Sequence, residues 1–109
     1  METDNFLIDI DGTVCEDIPN EEADRFPSAK LIDGAVERVN ALHDAGHRIT
    51  FFTSRTSEHR EVTISWLVRH GFRFHQLLTD KPRGGRYKWI DNLDVTGIKF
   101  NGDWKTIDL

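Results

Sequence analysis

The sequence of 109 residues has almost no cysteine, since Cys15 is its single thiol. An internal disulfide is therefore excluded, and a small buried side chain is favoured over a nucleophilic thiol at this position. No apolar run approaches the length that crosses a membrane, and the acidic start over residues 1–5 lacks the pattern of an export signal. These absences predict a cytoplasmic protein with no membrane partner.

The chain also lacks an excess of positive charge, because 19 acidic residues outnumber 14 basic ones and the net charge is −5. A nonspecific nucleic-acid binder is normally basic over a whole face, so this balance argues against a nucleic-acid partner. Four basic residues nevertheless fall together between Lys81 and Lys88. Such a run is either a solvated surface or a local contact for nucleic-acid ends.

Low-complexity tracts and internal repeats are absent too, and hydrophobic residues at 38% are ordinary for a globular protein. This length is enough for one core, with little room for a second. We therefore expect a single domain over residues 1–109.

Strand signals recur along the chain. The apolar run over residues 6–10 predicts a buried first strand, and β-branched and aromatic residues predict further strands over 47–53 and 74–79. Two more strands are predicted over 87–91 and 97–100.

Helix signals separate these strands. Apolar spacing predicts a helix over residues 34–45, capped by Asp33 and ended by Gly46. A second helix is predicted over 57–70, whereas residues 14–29 have no clear period and are predicted to form a loop or flap. Alternating strands and helices pair strands in parallel, which predicts a small α/β protein with a three-layer sheet.

Polar residues follow the predicted strands at one edge of the sheet. Asp9 and Asp11 follow the first strand, Thr53 ends the second, Lys81 follows the third, and Asp91 ends the fourth. The carboxyl ends of parallel strands meet at one edge, where open α/β sheets bind ligands. Carboxylates at the margin of a core need a cation or hydrogen-bond donors, so a functional site is favoured over a simple turn at Asp11.

Phosphoryl transfer suits this set of side chains. A phosphate dianion would be repelled by Asp9, Asp11 and Asp91 unless a hard cation intervened, and Mg²⁺ prefers carboxylate, carbonyl and water oxygens. Lys81 and the Thr53 hydroxyl would then contact phosphate oxygens that gain charge during transfer. One aspartate can attack phosphorus while its neighbour donates a proton to the leaving oxygen.

The ordered set Asp9-Ile10-Asp11-Gly12-Thr13, Thr53, Lys81 and Ile90-Asp91-Asn92 resembles the haloacid dehalogenase (HAD) superfamily, in its phosphatase branch, over essentially the whole chain. The resemblance implies a Rossmann-like, HAD-like parallel sheet. It implies that Asp9 is the nucleophile and forms an aspartyl phosphate, and that Asp11 is the general acid and base. It further implies phosphate binding by Thr53 and Lys81, and a Mg²⁺ site from Asp9, the Asp11 carbonyl and Asp91.

Two features depart from the usual pattern of that family. Asn92 stands where a second acid is common, with Asp94 as a nearby substitute, and this change is expected to weaken metal affinity without abolishing it. No insert long enough for a cap domain lies between the motifs. The chain is similar to a group of small capless members, so we expect the 14–29 flap, a second subunit or a bulky substrate to exclude water.

Four other residues are candidates for substrate binding. Arg55 follows Thr53 and is expected either to fork onto a second anionic group of the substrate or to form a surface ion pair. Arg60 lies at the start of the second helix, where backbone donors favour anions, and Arg83 and Asn92 lie near the third and fourth motifs.

The resulting expectation is a Mg²⁺-dependent phosphomonoester hydrolase for a small phosphorylated metabolite, such as a sugar phosphate or nucleotide. Two alternatives stay open: a phosphatase for nucleic-acid 3′-phosphate ends, and a noncatalytic phosphate-binding regulatory module. We also expect a homo-oligomer, because Trp89, Phe100 and Trp104 are apolar candidates for an interface.

Overall fold

The computed structural model describes residues 2–109, and it confirms the α/β class and the parallel sheet. Three strands pair in the order β1-β2-β3: β1 is Asn5–Ile8, β2 is Arg48–Phe52 and β3 is Gln76–Leu78. In this register Ile8 lies beside Phe51, and Phe51 lies beside Leu77. The three strand positions agree with the sequence prediction, although each strand is shorter than its predicted range.

Two α-helices connect the strands. α1 covers Ala35–Asp44, and α2 covers Arg60–Arg69 after a short 3₁₀ turn at Ser57–His59. The loop predicted over 14–29 contains a kinked 3₁₀ segment, Asn20–Ser28, which we call the 20–28 segment. No helix within residues 2–109 combines the length and apolar character needed to cross a bilayer.

The core lies between the sheet and these helices. Ile49 and Phe51 of β2 are fully buried, because β2 is the central strand with neighbours on both sides. Trp66 of α2 is almost fully buried, and its indole Nε1 donates to the carbonyl of Ala29 at 3.0 Å. This bond ties α2 to the end of the 20–28 segment. Phe26 is also fully buried, so that segment is part of the core and not a free flap.

The start of α1 differs from the prediction. Gly34, and not Asp33, is the N-cap, with a φ of 83° in the left-handed region and no capping side-chain bond. The Asp33 carboxylate instead pairs with Lys105 Nζ at 3.0 Å on the surface. A left-handed N-cap favours glycine, because a Cβ there would crowd the backbone and would lie 3.2 Å from Trp104 Cβ.

The strands predicted over 87–91 and 97–100 are wrong. Both ranges lack regular secondary structure, and the Ile90 side chain is 98% exposed. β-type residues form a strand only where a neighbouring strand pairs with them and a face is buried, and neither condition holds here.

Residues 104 and 107 nevertheless pack into the core. Trp104 is 3% exposed, and its Nε1 donates to the carbonyl of Thr13 at 2.7 Å, while Ile107 is also buried. Trp104 is therefore occupied inside the chain, and it is not an open interface residue as the oligomer expectation supposed. Phe100 packs on it with ring centroids 5.3 Å apart.

Replacing Gly34 by alanine tests this packing. We expect Gly34→Ala to lower the free energy of unfolding by about 1 kcal/mol or more, because the left-handed backbone disfavours a Cβ and Trp104 would have to shift. Gly97→Ala is the matched control, since a Cβ there meets nothing within 4 Å, and it is expected to change stability by less than about 0.5 kcal/mol. Urea unfolding measures both; equal losses would contradict the packing of Trp104 against Gly34.

Candidate functional site

The loop after β1 places Asp9 at the carboxyl edge of the sheet. The backbone N–H groups of Thr13 and Val14 both donate to the carbonyl of Ile10, at 3.0 and 2.9 Å, which turns the chain sharply back. Gly12 permits this turn with a φ of 82°. The Thr13 hydroxyl then lies 3.4 Å from Asp9 Oδ2 and donates to it.

Lys81 reaches the same edge from the end of β3. Asp80 adopts a left-handed φ of 62° and its N–H donates to the Arg55 carbonyl at 2.9 Å. The next N–H, from Lys81, donates to the Thr53 carbonyl at 3.0 Å. This turn directs the Lys81 ammonium to within 3.6 Å of Asp9 Oδ1. The structure therefore brings together Asp9 and Lys81, as the strand-end argument predicts.

The charge state of Asp9 is set by opposing influences. Partial burial raises the pKa of the Asp9 carboxyl above its ordinary value, and the neighbouring Asp11 raises it further. The Lys81 ammonium, the Ile10 N–H and the Thr13 hydroxyl each lower that pKa. Lys81 is the largest of these lowering influences, but burial outweighs them, so the pKa of Asp9 lies above its ordinary value.

Thr53 directly follows β2, at the carboxyl edge of the sheet. Its N–H donates to the Leu78 carbonyl at 2.9 Å, and its Oγ1 accepts from the Arg55 N–H at 3.1 Å. Thr53 is fully buried, so its hydroxyl is closed to solvent in this arrangement.

Asp11 is held by Arg55. The guanidinium Nε donates to Asp11 Oδ2 at 2.9 Å and Nη2 donates to Oδ1 at 2.7 Å, which makes a bidentate ion pair. The Arg55 side chain is fully buried and that of Asp11 is 11% exposed. This placement differs from both expectations for Arg55, because the guanidinium neither faces a second anionic group of a substrate nor lies on the surface.

Cys15 lies beside this pair and is fully buried. Burial raises the pKa of its thiol to about 12, with Asp11 adding to the effect. The group is therefore a protonated thiol at neutral pH, which fits a small buried side chain and not a nucleophile.

The remaining substrate-binding candidates lie apart from Asp9. Arg60 Nη1 donates to the Leu77 carbonyl at 2.7 Å, so its guanidinium reinforces β3. Arg83 pairs with Glu21 at 3.4 Å on the surface, and Asn92 is exposed.

Asp91 is also exposed in this arrangement. Its carboxylate accepts from Trp89 Nε1 at 3.1 Å and from the Leu93 N–H at 3.0 Å, and these bonds lower its pKa. Because the fourth predicted strand does not form, no strand end carries Asp91 to the sheet edge.

The positions of the expected ligands decide whether this arrangement can bind Mg²⁺. Within residues 2–109 no group of three or more His, Cys, Asp or Glu side chains is placed to hold a metal ion. Both Asp11 oxygens receive donors from Arg55, and Asp91 bonds within its own segment. The described residues as arranged therefore do not complete the expected Mg²⁺ site of Asp9, the Asp11 carbonyl and Asp91, because the Asp91 carboxylate bonds to Trp89 and Leu93 instead.

A cleft of about 480 Å³ opens beside Asp9 along β1. Its polar lining includes Asp9, Asp11 and Lys81, whereas Tyr87 and Phe100 contribute aromatic surface. The Lys81 ammonium also lies over the Tyr87 ring, with Nζ 4.7 Å from the ring centroid. The cleft therefore combines two aspartates and two lysines, Lys81 and Lys99, with an apolar wall, which suits a ligand that carries a charged group beside an apolar one.

Sequence reasoning missed several supporting residues. Phe26 lies under the Arg55 guanidinium, 3.7 Å from Cζ to the ring centroid, and Thr63 Oγ1 accepts from Arg55 Nη1 at 3.1 Å. No spacing rule joins these positions to Asp11. The sequence carries a weak signal for the turn at Asp80, since aspartate is one of the few residues that tolerate a left-handed backbone.

Comparisons with known proteins agree with this architecture. The family model described as PITM 1-3, LNS2 domain matches residues 6–88. A crystal structure of a structural-genomics target from Vibrio cholerae superposes with a TM-score of 0.62 at 20% identity, and covers 82% of this chain and 80% of that one. That likeness concerns the fold.

A Bacillus cereus protein that carries a nucleotidase name is 43% identical over 51 residues. The match covers 47% of this chain and 27% of that relative. The family match includes the Asp9 loop, Thr53 and Lys81, and the structural match agrees with the predicted Rossmann-like α/β fold. The chain therefore belongs to the LNS2 domain family and to the HAD superfamily, whose phosphatase-type hydrolases it resembles at superfamily level.

Proposed function

We propose that this chain is a Mg²⁺-dependent phosphomonoester hydrolase that acts on a small phosphorylated metabolite through an aspartyl phosphate. The observation that carries the proposal is the approach of Lys81 Nζ to 3.6 Å from Asp9 Oδ1 at the carboxyl edge of the sheet. A carboxylate that is open on one side and paired with an ammonium on the other can attack a phosphate that the same ammonium binds.

The proposed reaction has two steps. In the first, an Asp9 oxygen forms a bond to phosphorus, the bond to the ester oxygen breaks, and that oxygen leaves as an alcohol with a proton from Asp11. In the second, water attacks phosphorus, its proton passes to Asp11, and the bond to Asp9 breaks to release inorganic phosphate. Lys81 neutralises phosphate oxygens in both steps, and Thr53 would do so once its hydroxyl is uncovered.

Mg²⁺ is part of this proposal as the cation that offsets repulsion between the carboxylates and the phosphate dianion. Its expected ligands are Asp9, the Asp11 carbonyl and Asp91, and Asp91 lies outside the site in this arrangement. The reaction steps above are therefore assigned to the side chains alone.

A nucleotide is one suitable substrate within this class. The aromatic wall of the cleft, with Tyr87 and Phe100, offers surface for a base or another apolar group beside the phosphate site. The nucleotidase name of the Bacillus cereus relative supports the same choice.

A noncatalytic phosphate-binding module is the second candidate. Two observations favour it: both Asp11 carboxylate oxygens are held by Arg55, and Asp91, one of the expected metal ligands, bonds within its own segment. Phosphate binding without turnover, measured with Mg²⁺ present, would support this module against the hydrolase.

The direct test is a phosphate-release screen over sugar phosphates, nucleotides and a 3′-phosphorylated oligonucleotide, each with Mg²⁺ and with EDTA. The hydrolase proposal expects Mg²⁺-dependent release from at least one small phosphomonoester. Release from the oligonucleotide alone, with a steep salt dependence, would instead support the phosphatase for nucleic-acid ends.

Replacing the nucleophile should abolish turnover. Asp9→Asn keeps the shape of the side chain but removes the attacking charge, so phosphate release is expected to fall by roughly 10⁴-fold or more. Asp24→Asn, at an exposed position, is the control and should leave the rate unchanged. Retention of a tenth of the wild-type rate in Asp9→Asn would refute the assignment.

Removing Lys81 should raise the pKa of Asp9 further. Lys81→Met deletes the ammonium that lowers this pKa, while the burial that raises it stays. The titration of the Asp9 carboxyl carbon, followed by ¹³C NMR in metal-free buffer, should move to higher pH. Lys88→Met removes an exposed ammonium of the same basic run and should leave the titration in place. An unchanged or lowered Asp9 pKa in Lys81→Met would contradict the pairing.

A further inference from the structure

Arg55 is a fully buried arginine whose guanidinium contacts no group open to solvent other than the partly exposed Asp11 carboxylate. A buried ion pair adds little stability on average, because the two charges lose their hydration. Because Asp11 also lines the cleft beside Asp9, the pair can set the orientation of this carboxylate as well as contribute to packing.

The guanidinium is fixed from three directions. Nε and Nη2 donate to the two Asp11 oxygens, Nη1 donates to Thr63 Oγ1 at 3.1 Å, and the plane lies over the Phe26 ring. Thr63 is held in turn, because its hydroxyl donates to the His59 carbonyl at 2.8 Å. This arrangement leaves the Asp11 carboxylate one orientation.

That orientation presents Asp11 as an acceptor. A carboxylate whose two oxygens accept N–H donors keeps further lone pairs, which can accept another proton or hydrogen bond. Of the two steps proposed for Asp11, acceptance of a proton from water needs no break in the ion pair. Donation to a leaving group first requires a proton to reach Asp11.

We propose that Arg55 is a positioning residue that holds Asp11 as the proton acceptor for hydrolysis of the aspartyl phosphate, with Phe26 and Thr63 as its supports. This inference rests on the proposed hydrolase function. In the step concerned, a water oxygen bonds to phosphorus, the water proton passes to an Asp11 oxygen, and the bond from phosphorus to the Asp9 oxygen breaks. Loss of the bidentate contact from Arg55, which we call the fork, displaces Asp11. This displacement slows hydrolysis of the aspartyl phosphate more than its formation.

The test uses p-nitrophenyl phosphate, whose leaving group needs little protonation, so that phosphorylation of Asp9 stays fast when Asp11 is displaced. Arg55→Lys keeps the charge but loses the fork. We expect the steady-state rate to fall by roughly 10²-fold, as for a misplaced catalytic group. The initial burst should meanwhile approach one molecule of p-nitrophenolate per folded chain, because the phosphorylated enzyme accumulates.

Two further variants separate positioning from folding. Thr63→Val removes one support and leaves the fork, and should give a smaller change in the same direction. Arg73→Lys is the matched control, because Arg73 forks onto Asp44 with Nε and Nη2 on the exposed surface, and it should change neither burst nor rate. Circular dichroism and thermal unfolding give the folded fraction of each protein.

The outcomes are distinct. A raised burst with a slow steady state in Arg55→Lys supports the proposal, and support from Thr63→Val holds even where Arg55→Lys folds poorly. A burst and a rate that fall together with the folded fraction overturn it, since they indicate a structural role alone. No wild-type turnover of p-nitrophenyl phosphate or of any phosphomonoester in the release screen overturns the hydrolase function, and this inference with it. Normal wild-type turnover with an unaffected Arg55→Lys overturns this inference only.

Discussion

The ion pair between Arg55 and Asp11 is the interaction on which the organisation of the site depends. It joins the loop after β1 to the chain after β2, two segments separated by 44 residues. Because the guanidinium also packs on Phe26, the same pair draws the 20–28 segment into the core. Asp11 is thereby held beside Asp9, and the backbone of Arg55 supports both Thr53 and Asp80.

The second constraint is the parallel sheet itself. Parallel pairing brings the ends of β1, β2 and β3 to one edge, and the Lys81 ammonium and Asp9 carboxylate meet there without any contact specific to a ligand. The burial that raises the pKa of Asp9 and the ammonium that lowers it come from the same placement. The charge at this edge is thus a consequence of topology.

Much of this was accessible from the sequence, for identifiable reasons. The strands around Ile8, Phe51 and Leu77 and the two helices follow from apolar periodicity, and strand ends predict the meeting of Asp9 with Lys81. Residues 87–100 show where that reasoning fails. β-type residues such as Ile90 carry a propensity, but a strand needs a partner, and no local pattern reports whether one is present.

The contacts that sequence could not predict are those between distant side chains. Nothing near Arg55 indicates that its guanidinium turns inward to Asp11, and the bond from Trp104 to the Thr13 carbonyl spans 91 residues. Such contacts depend on how the helices pack and not on local spacing. They decide the orientation of Asp11 and the position of the loop after β1, which are the parts of the site most relevant to chemistry.

Covalent catalysis by Asp9 is tested most directly by mass spectrometry of the chain quenched in acid during turnover. A phosphoryl group is expected on the peptide that contains Asp9, labile to hydroxylamine as an acyl phosphate is, and absent without substrate. Turnover that leaves this peptide unmodified, or a phosphoryl group on another residue, would contradict the assignment of Asp9 as the nucleophile at this sheet edge.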